Sequence, residues 1–107
     1  MTADQAPMHW ILTLYISGAS MRSSTAVEAI RRICDEELPG QVELTIVDVR
    51  DEPALVVREG ILAVPTLVKQ LPAPLRRLVG DLANASWVRA ELDLTPGPHD
   101  TGEGQTP

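Results

Sequence analysis

From His9 to Ser17 the chain reads HWILTLYIS, a β-branched and aromatic run interrupted by a single polar residue, Thr13. A strand with one wet face alternates apolar and polar residues. A run this continuous predicts a strand covered on both faces, hence one in the middle of a sheet. Gly18 ends it.

The following segments supply the rest of an α/β unit. Ser20, Ser23 and Thr25 offer N-cap oxygens, and Thr25 with Glu28 has the spacing of a capping box. Ala26, Val27, Ile30, Ile33 and Cys34 then recur at helical spacing up to Leu38-Pro39-Gly40. In Gln41 to Val49 (QVELTIVDV), Val42, Leu44 and Ile46 alternate with Glu43, Thr45 and Val47, which predicts a second strand with one wetter face. Strand, helix, strand implies a right-handed parallel crossover. Pro53 suits the first position of a short helix over 53–59 that Gly60 stops. Ile61 to Lys69 (ILAVPTLVK) is again apolar and β-rich around Pro65, and Val64-Pro65-Thr66 resembles the cis-proline signature of thioredoxin folds.

Beyond Leu71 two readings compete. Leu75, Leu78, Val79 and Leu82 follow the i, i+3, i+4, i+7 rule of a helix face. Leu75 and Val79 also flank Arg77 in strand alternation, and Gly80-Asp81 reads as a turn. In 88–94 the conflict is reversed. Val88, Ala90, Leu92 and Leu94 alternate with Arg89, Glu91 and Asp93 as in a strand, whereas Asn84 can cap a helix that Ala85, Ala90, Glu91 and Leu92 favour. Pro72 and Pro74 in LPAPL lack amide donors and keep either element from running through the loop.

Composition removes several function classes. A chain of 107 residues, 44% hydrophobic, suits one core, predicted over 9–94, with disordered tails at 1–8 and 95–107 where large hydrophobes are scarce. Nine basic against fifteen acidic residues give a charge of −6 with no concentrated basic face, which argues against nucleic-acid binding. Apolar runs of about five residues fall far short of the roughly 20 that cross a bilayer, so no membrane association and a cytoplasmic location are expected. Cys34 is the only cysteine, which excludes an internal disulfide and a paired-thiol redox centre. Ser20, Ser23 and Ser24 beside Arg22 look like nucleophile candidates, but the only histidines, His9 and His99, lie near the chain ends, and helix capping accounts for the serines. The same two histidines, far apart and without a cysteine cluster, make a metal site improbable, and no cofactor is expected.

Four stretches together resemble one family: LTLYISG at 12–18, IVDV at 46–49, GILAVPTLVKQLPAPLRRLVGDLAN at 60–84 and LDL at 92–94. They are similar to KaiB over about 85 residues, Trp10 to Leu94. The resemblance implies an α/β, thioredoxin-like fold of order βαβαββα, with a KaiB-type alternative of order βαββααβ in which the segment after the proline loop exchanges strand and helix. The double reading falls on that segment. Residues expected to govern the exchange are Pro65, Pro72, Pro74, Gly80, Asp81, Asn84, Glu91 and Asp93. Many family members carry glycine where Glu91 stands. Glycine costs a helix about 1 kcal/mol, so Glu91 tilts the balance toward the thioredoxin-like state.

The resemblance further implies a non-catalytic adaptor that docks on a KaiC-type ring ATPase in circadian or related timing and stress signalling, with a KaiA-like protein or a sensor kinase as further partners. Docking is expected at Asp51, Glu52, Pro53, Val56, Val57 and Ala63, leaving Glu43 and Thr45 on the second strand for another partner. Gly60 replaces a frequent basic residue of the family, and a monomer or dimer is expected, with the family's tetramer possible. Two alternatives stay open: a thioredoxin-fold redox or stress protein using Cys34, and a self-assembling protein without a ring partner. At the place where thioredoxins carry their two cysteines this chain reads Gly18-Ala19-Ser20-Met21-Arg22-Ser23, with no sulfur nucleophile.

Overall fold

The computed structural model describes residues 9–94, so the expectations for 1–8 and 95–107 fall outside the described residues. The order is β1 (Trp10–Ile16), α1 (Met21–Glu37), β2 (Val42–Asp48), α2 (Pro53–Glu59), β3 (Thr66–Leu71), β4 (Arg76–Val79) and α3 (Ala85–Glu91). This is the βαβαββα arrangement. The four strands form one sheet in the order β2-β1-β3-β4. β1 runs parallel to β2, with Leu12 opposite Leu44 and Leu14 opposite Ile46. It runs antiparallel to β3, with Leu14 opposite Leu67. β4 pairs antiparallel with β3 alone, Leu78 opposite Leu67 and Arg77 opposite Val68.

β1 is covered on both faces because its side chains alternate between two clusters. Trp10, Leu12 and Leu14 face α1 and α3, packing with Ile30, Ile33, Leu67, Leu78, Val88 and Leu92. Tyr15 faces the other way, with Val68 and Ile61, beneath α2. Lys69, also buried, sets its ammonium 5.7 Å from the Trp10 ring centroid, where the ring's electron-rich face receives the charge.

Two boundary details sharpen the sequence reading, which offered three caps for α1 and placed β4 by pattern alone. The N-cap of α1 is Ser20, whose hydroxyl accepts from Ser23 N–H, so the helix begins one turn before the Thr25–Glu28 box. The Thr25 hydroxyl instead donates back to Met21 C=O at 2.8 Å, and the Ser23 hydroxyl accepts from Ser17 N–H, tying strand to helix. In β4 the inward residue is Leu78, while Leu75 and Val79 are exposed. Leu75 precedes the strand, and Arg77 and Val79, two residues apart, share the α2 side of the sheet, so the alternation that forms sets Arg77 and Val79 against inward Leu78 and not Leu75 and Val79 against Arg77.

The segment with two readings takes strand then helix. Asn84 caps α3 by accepting from Trp87 N–H at 3.1 Å. Arg89 reaches from α3 to Glu37 at 3.0 Å and Glu36 at 3.5 Å on α1, and Arg76 of β4 donates to the Glu91 carbonyl at the C-terminus of α3. These contacts, with Leu82, Val88 and Leu92 buried against α1, favour the helix over the competing alternation.

Candidate functional site

The β1–α1 junction is where a thioredoxin fold can activate a thiol. Here Gly18 N–H donates to Asp48 at 3.1 Å, and Arg50 donates to the same carboxylate through its backbone N–H at 3.0 Å and its guanidinium at 3.0 and 3.1 Å. The Arg50 side-chain hydrogen bond, then that of its amide, holds the Asp48 carboxyl below its ordinary value. The guanidinium lies across Gly18, whose φ is +61°, and a Cβ there would meet Arg50 Cζ at 2.8 Å. This corner is a structural lock joining the ends of β1 and β2.

Cys34 sits on α1 within the packed core, 5% exposed. Burial, followed by the nearby Asp35 charge and opposed by Arg31, pushes its thiol up to about 11. A thiol so placed is almost wholly protonated at neutral pH and screened from substrates, which argues against the Cys34 alternative. Among the described residues no three His, Cys, Asp or Glu side chains gather as a metal site would need.

The other face of the sheet has a different character. α2 is seven residues long and buries none of them completely. Pro53 stands at its first turn and Gly60, φ +67°, closes it in the left-handed conformation that residues with a Cβ resist. Leu55 and Val56 lean on the Tyr15–Ile61–Val68 cluster, leaving Val57 81% exposed. Val56 and Ala63 line one shallow apolar groove with Val49, Ile61, Leu62 and Val64. A second groove, sharing Ile61, Leu62 and Ala63, continues past Gly60 to Arg77 and Val79 on β4.

Asp51, Glu52, Pro53, Val57 and Ala63 are thus exposed and Val56 half-buried, all on α2 and its flanking loops. Glu43 and Thr45 are exposed on β2, with Glu43 accepting from or pairing with His9 Nε2 at 3.0 Å. They share strand parity with Val47, which packs under α2, so they belong to the same face of the sheet but stand apart from the grooves. Two apolar contributors escaped sequence reasoning: Leu62, 97% exposed, and Val79, 56% exposed. Leu62 lies in an apolar run, and only its place in a loop after a left-handed glycine turns it outward.

The residues assigned to the exchange of strand and helix also have definite places. The Val64-Pro65, Leu71-Pro72 and Ala73-Pro74 peptides are cis, which meets the expectation for Pro65. Pro72 and Pro74 occupy the loop between β3 and β4, and Gly80 and Asp81 the loop between β4 and α3. Glu91 is the last residue of α3, and Asp93 beyond it has φ 60°. Arg76 lies 3.9 Å from the Glu91 carboxylate and 3.8 Å from that of Asp93.

Fold and site together define a thioredoxin-like α/β protein whose strand–helix corner holds an ion-paired lock in place of a thiol pair, and whose exposed apolar surface lies by α2. The fold is that of the thioredoxin Deadhead from Drosophila melanogaster, TM-score 0.65 over 85% of each chain at 13% identity. The N-terminal domain of Synechococcus elongatus SasA superposes with a TM-score of 0.65 at 25% identity, covering 86% of this chain and 90% of that one. The KaiB domain matches residues 13–94. Circadian clock protein KaiB3 of Synechocystis sp. is 45% identical over 86 residues, 80% of this chain and 84% of that protein. The circadian clock oscillator protein KaiB of Thermosynechococcus vestitus is 40% identical over 85 residues, 79% of each. The chain belongs to the KaiB family, whose named members are circadian clock proteins.

Proposed function

We propose that this protein is a non-catalytic cytoplasmic adaptor of a KaiC-type ring ATPase, acting in circadian or related timing and stress signalling. The observation that carries the reading, beside the family, is the apolar groove lined by Val56, Leu62 and Ala63, with Val57 exposed on the same short helix and Asp51 and Glu52 exposed just before it. A helix that buries no residue completely and turns a valine outward is poorly explained by stability alone, and exposed apolar patches rimmed by charge are features of protein-binding sites. Glu43 and Thr45 remain accessible on the free edge of β2 for a second partner, a KaiA-like protein or a sensor kinase.

Exchange between the βαβαββα and βαββααβ arrangements belongs to the same reading. It is supported by the helical spacing of Leu75, Leu78, Val79 and Leu82 in a segment that here holds a four-residue edge strand. If only one arrangement docks, apparent affinity falls with the fraction of molecules in it, and binding develops slowly.

The test is co-purification with the KaiC homologue of the same genome in the presence of ATP, sampled over hours. Slow growth of a ring complex supports the adaptor reading. Absence of a complex in every nucleotide state overturns it. Light scattering over a dilution series on the protein alone separates a self-assembling protein, which would hold one oligomeric state without any ring.

A further inference from the structure

Helix α2 is too short to stand by itself. Seven residues form barely two turns, and isolated helices below about 12 residues are marginal in water. Its N-cap, Glu52, makes no side-chain hydrogen bond, and its first turn has no acidic residue. At the other end Gly60 N–H donates to Val57 C=O and Ile61 N–H to Val56 C=O, which leaves the Glu59 and Gly60 carbonyls to be satisfied from outside the helix.

Arg77 of β4 satisfies both. Its guanidinium donates from Nη2 to Glu59 C=O and from Nη1 to Gly60 C=O, the latter at 3.1 Å. The planar fork suits two neighbouring acceptors, and the cation sits at the negative end of the helix. Arg77 pairs across the ladder with Val68, whose side chain belongs to the cluster beneath α2. The adjacent Arg76 serves the opposite face, donating to Glu91 C=O at the end of α3. Two consecutive residues of one edge strand thus hold the C-termini of two helices on opposite faces of the sheet.

We propose that Arg77 is the positioning residue that couples β4 to the α2 surface. By holding the Glu59 and Gly60 carbonyls it sets the course of the chain through Leu62 and Ala63, and so the spacing of those side chains from Val56 and Val57. β4 has one neighbouring strand, so any event that lifts segment 76–79 from β3 withdraws both hydrogen bonds and loosens that surface. Whatever binds the surface therefore senses whether 76–79 is in its strand position, and by linkage favours one state of it. The role of the surface in docking rests on the function proposed above; the tether itself does not.

The test is amide hydrogen exchange on the full-length chain for Arg77→Ala, Arg77→Lys and Arg76→Ala. Arg77→Ala is expected to speed exchange at the Gly60 and Ile61 amides by about three- to tenfold, the scale of losing charge-assisted bonds at an exposed site. Arg77→Lys is expected to fall between, since an ammonium cannot fork to two carbonyls. Arg76→Ala is expected to leave both amides unchanged. Protection at Leu12 and Leu14 of β1 reports that the fold stands, and if Arg77→Ala fails to fold, Arg77→Lys decides. Unchanged exchange at Gly60 and Ile61 in the Arg77 variants, or equal acceleration in Arg76→Ala, overturns the proposal. Ring binding by the same variants is read separately: faster exchange with undiminished binding keeps the tether and removes 51–63 as the docking surface.

Discussion

The two faces of the sheet are covered to different depths. On one, α1 and α3 close over Leu12, Leu14, Leu67 and Leu78, and the cluster takes in Leu82, Val88 and Leu92 as well. On the other, α2 covers Tyr15, Ile61 and Val68, and leaves Val57 and Leu62 in solvent. Both faces belong to the same strands, so the difference arises from the helices. The 17 residues of α1 bury Ala26, Ile30, Ile33 and Cys34 along one stripe, whereas the 7 of α2 bury none completely. Stability is concentrated where coverage is deep, and surface for a partner is available where it is thin.

Substitutions on the two faces can break that contrast. Leu14→Ala, removing a fully buried side chain under α1, is expected to lower unfolding free energy by about 2–5 kcal/mol, read by urea denaturation. A loss below about 1 kcal/mol would place the stabilising core elsewhere. Asn84→Ala, removing the cap of α3, is expected to cost about 1 kcal/mol and to reduce protection of the Trp87 and Val88 amides before that of β1. Uniform loss would show α3 and the sheet opening as one unit. Val57→Asp is expected to change stability by no more than about 0.5 kcal/mol, as exposed positions usually do, while abolishing co-purification with the ring ATPase. Retained binding would move the docking surface off α2.

The smallest expected effect concerns Asp48. Its folded carboxyl is held below its ordinary value of 3.8 by Arg50, so the ionised form is favoured by folding. The contribution is complete above the ordinary value and disappears as pH falls through the folded one. The difference in melting temperature between the wild type and Asp48→Asn should therefore narrow in acid and be constant near neutrality. A difference that widens as pH falls would reverse the sign and remove the lock at the β1–β2 corner.

The first and second halves of the described residues differ in how openly they declare their structure. β1, α1 and β2 follow from one nearly continuous apolar run, one helical stripe and one alternation, each with a single periodicity. The start of α1 was less legible because Ser20, Ser23 and Thr25 are all competent caps, and the choice rests on which hydroxyl meets a free N–H. β4 and α3 had two periodicities each, and partners distant in sequence decide between them: α1 for Val88 and Leu92, Glu36 and Glu37 for Arg89. Of the residues that the KaiB resemblance suggested for docking, Asp51, Glu52, Pro53, Val57 and Ala63 are exposed and Val56 is half-buried, and charge, proline and glycine bound the short helix beside them. Leu62 was not legible as exposed, since it stands in an apolar run, and the bonds of Arg77 to carbonyls 17 and 18 residues away leave no mark in local pattern.

The strand order β2-β1-β3-β4 has a kinetic consequence. Edge strand β4 and the helix after it can depart while β2-β1-β3 remain paired as a three-stranded sheet. Their departure must break one four-residue ladder and the seat of Leu82, Val88 and Leu92 on α1. In a hierarchy of partial openings, residues 76–92 should thus be the last part of the sheet to join during folding and the first to come away.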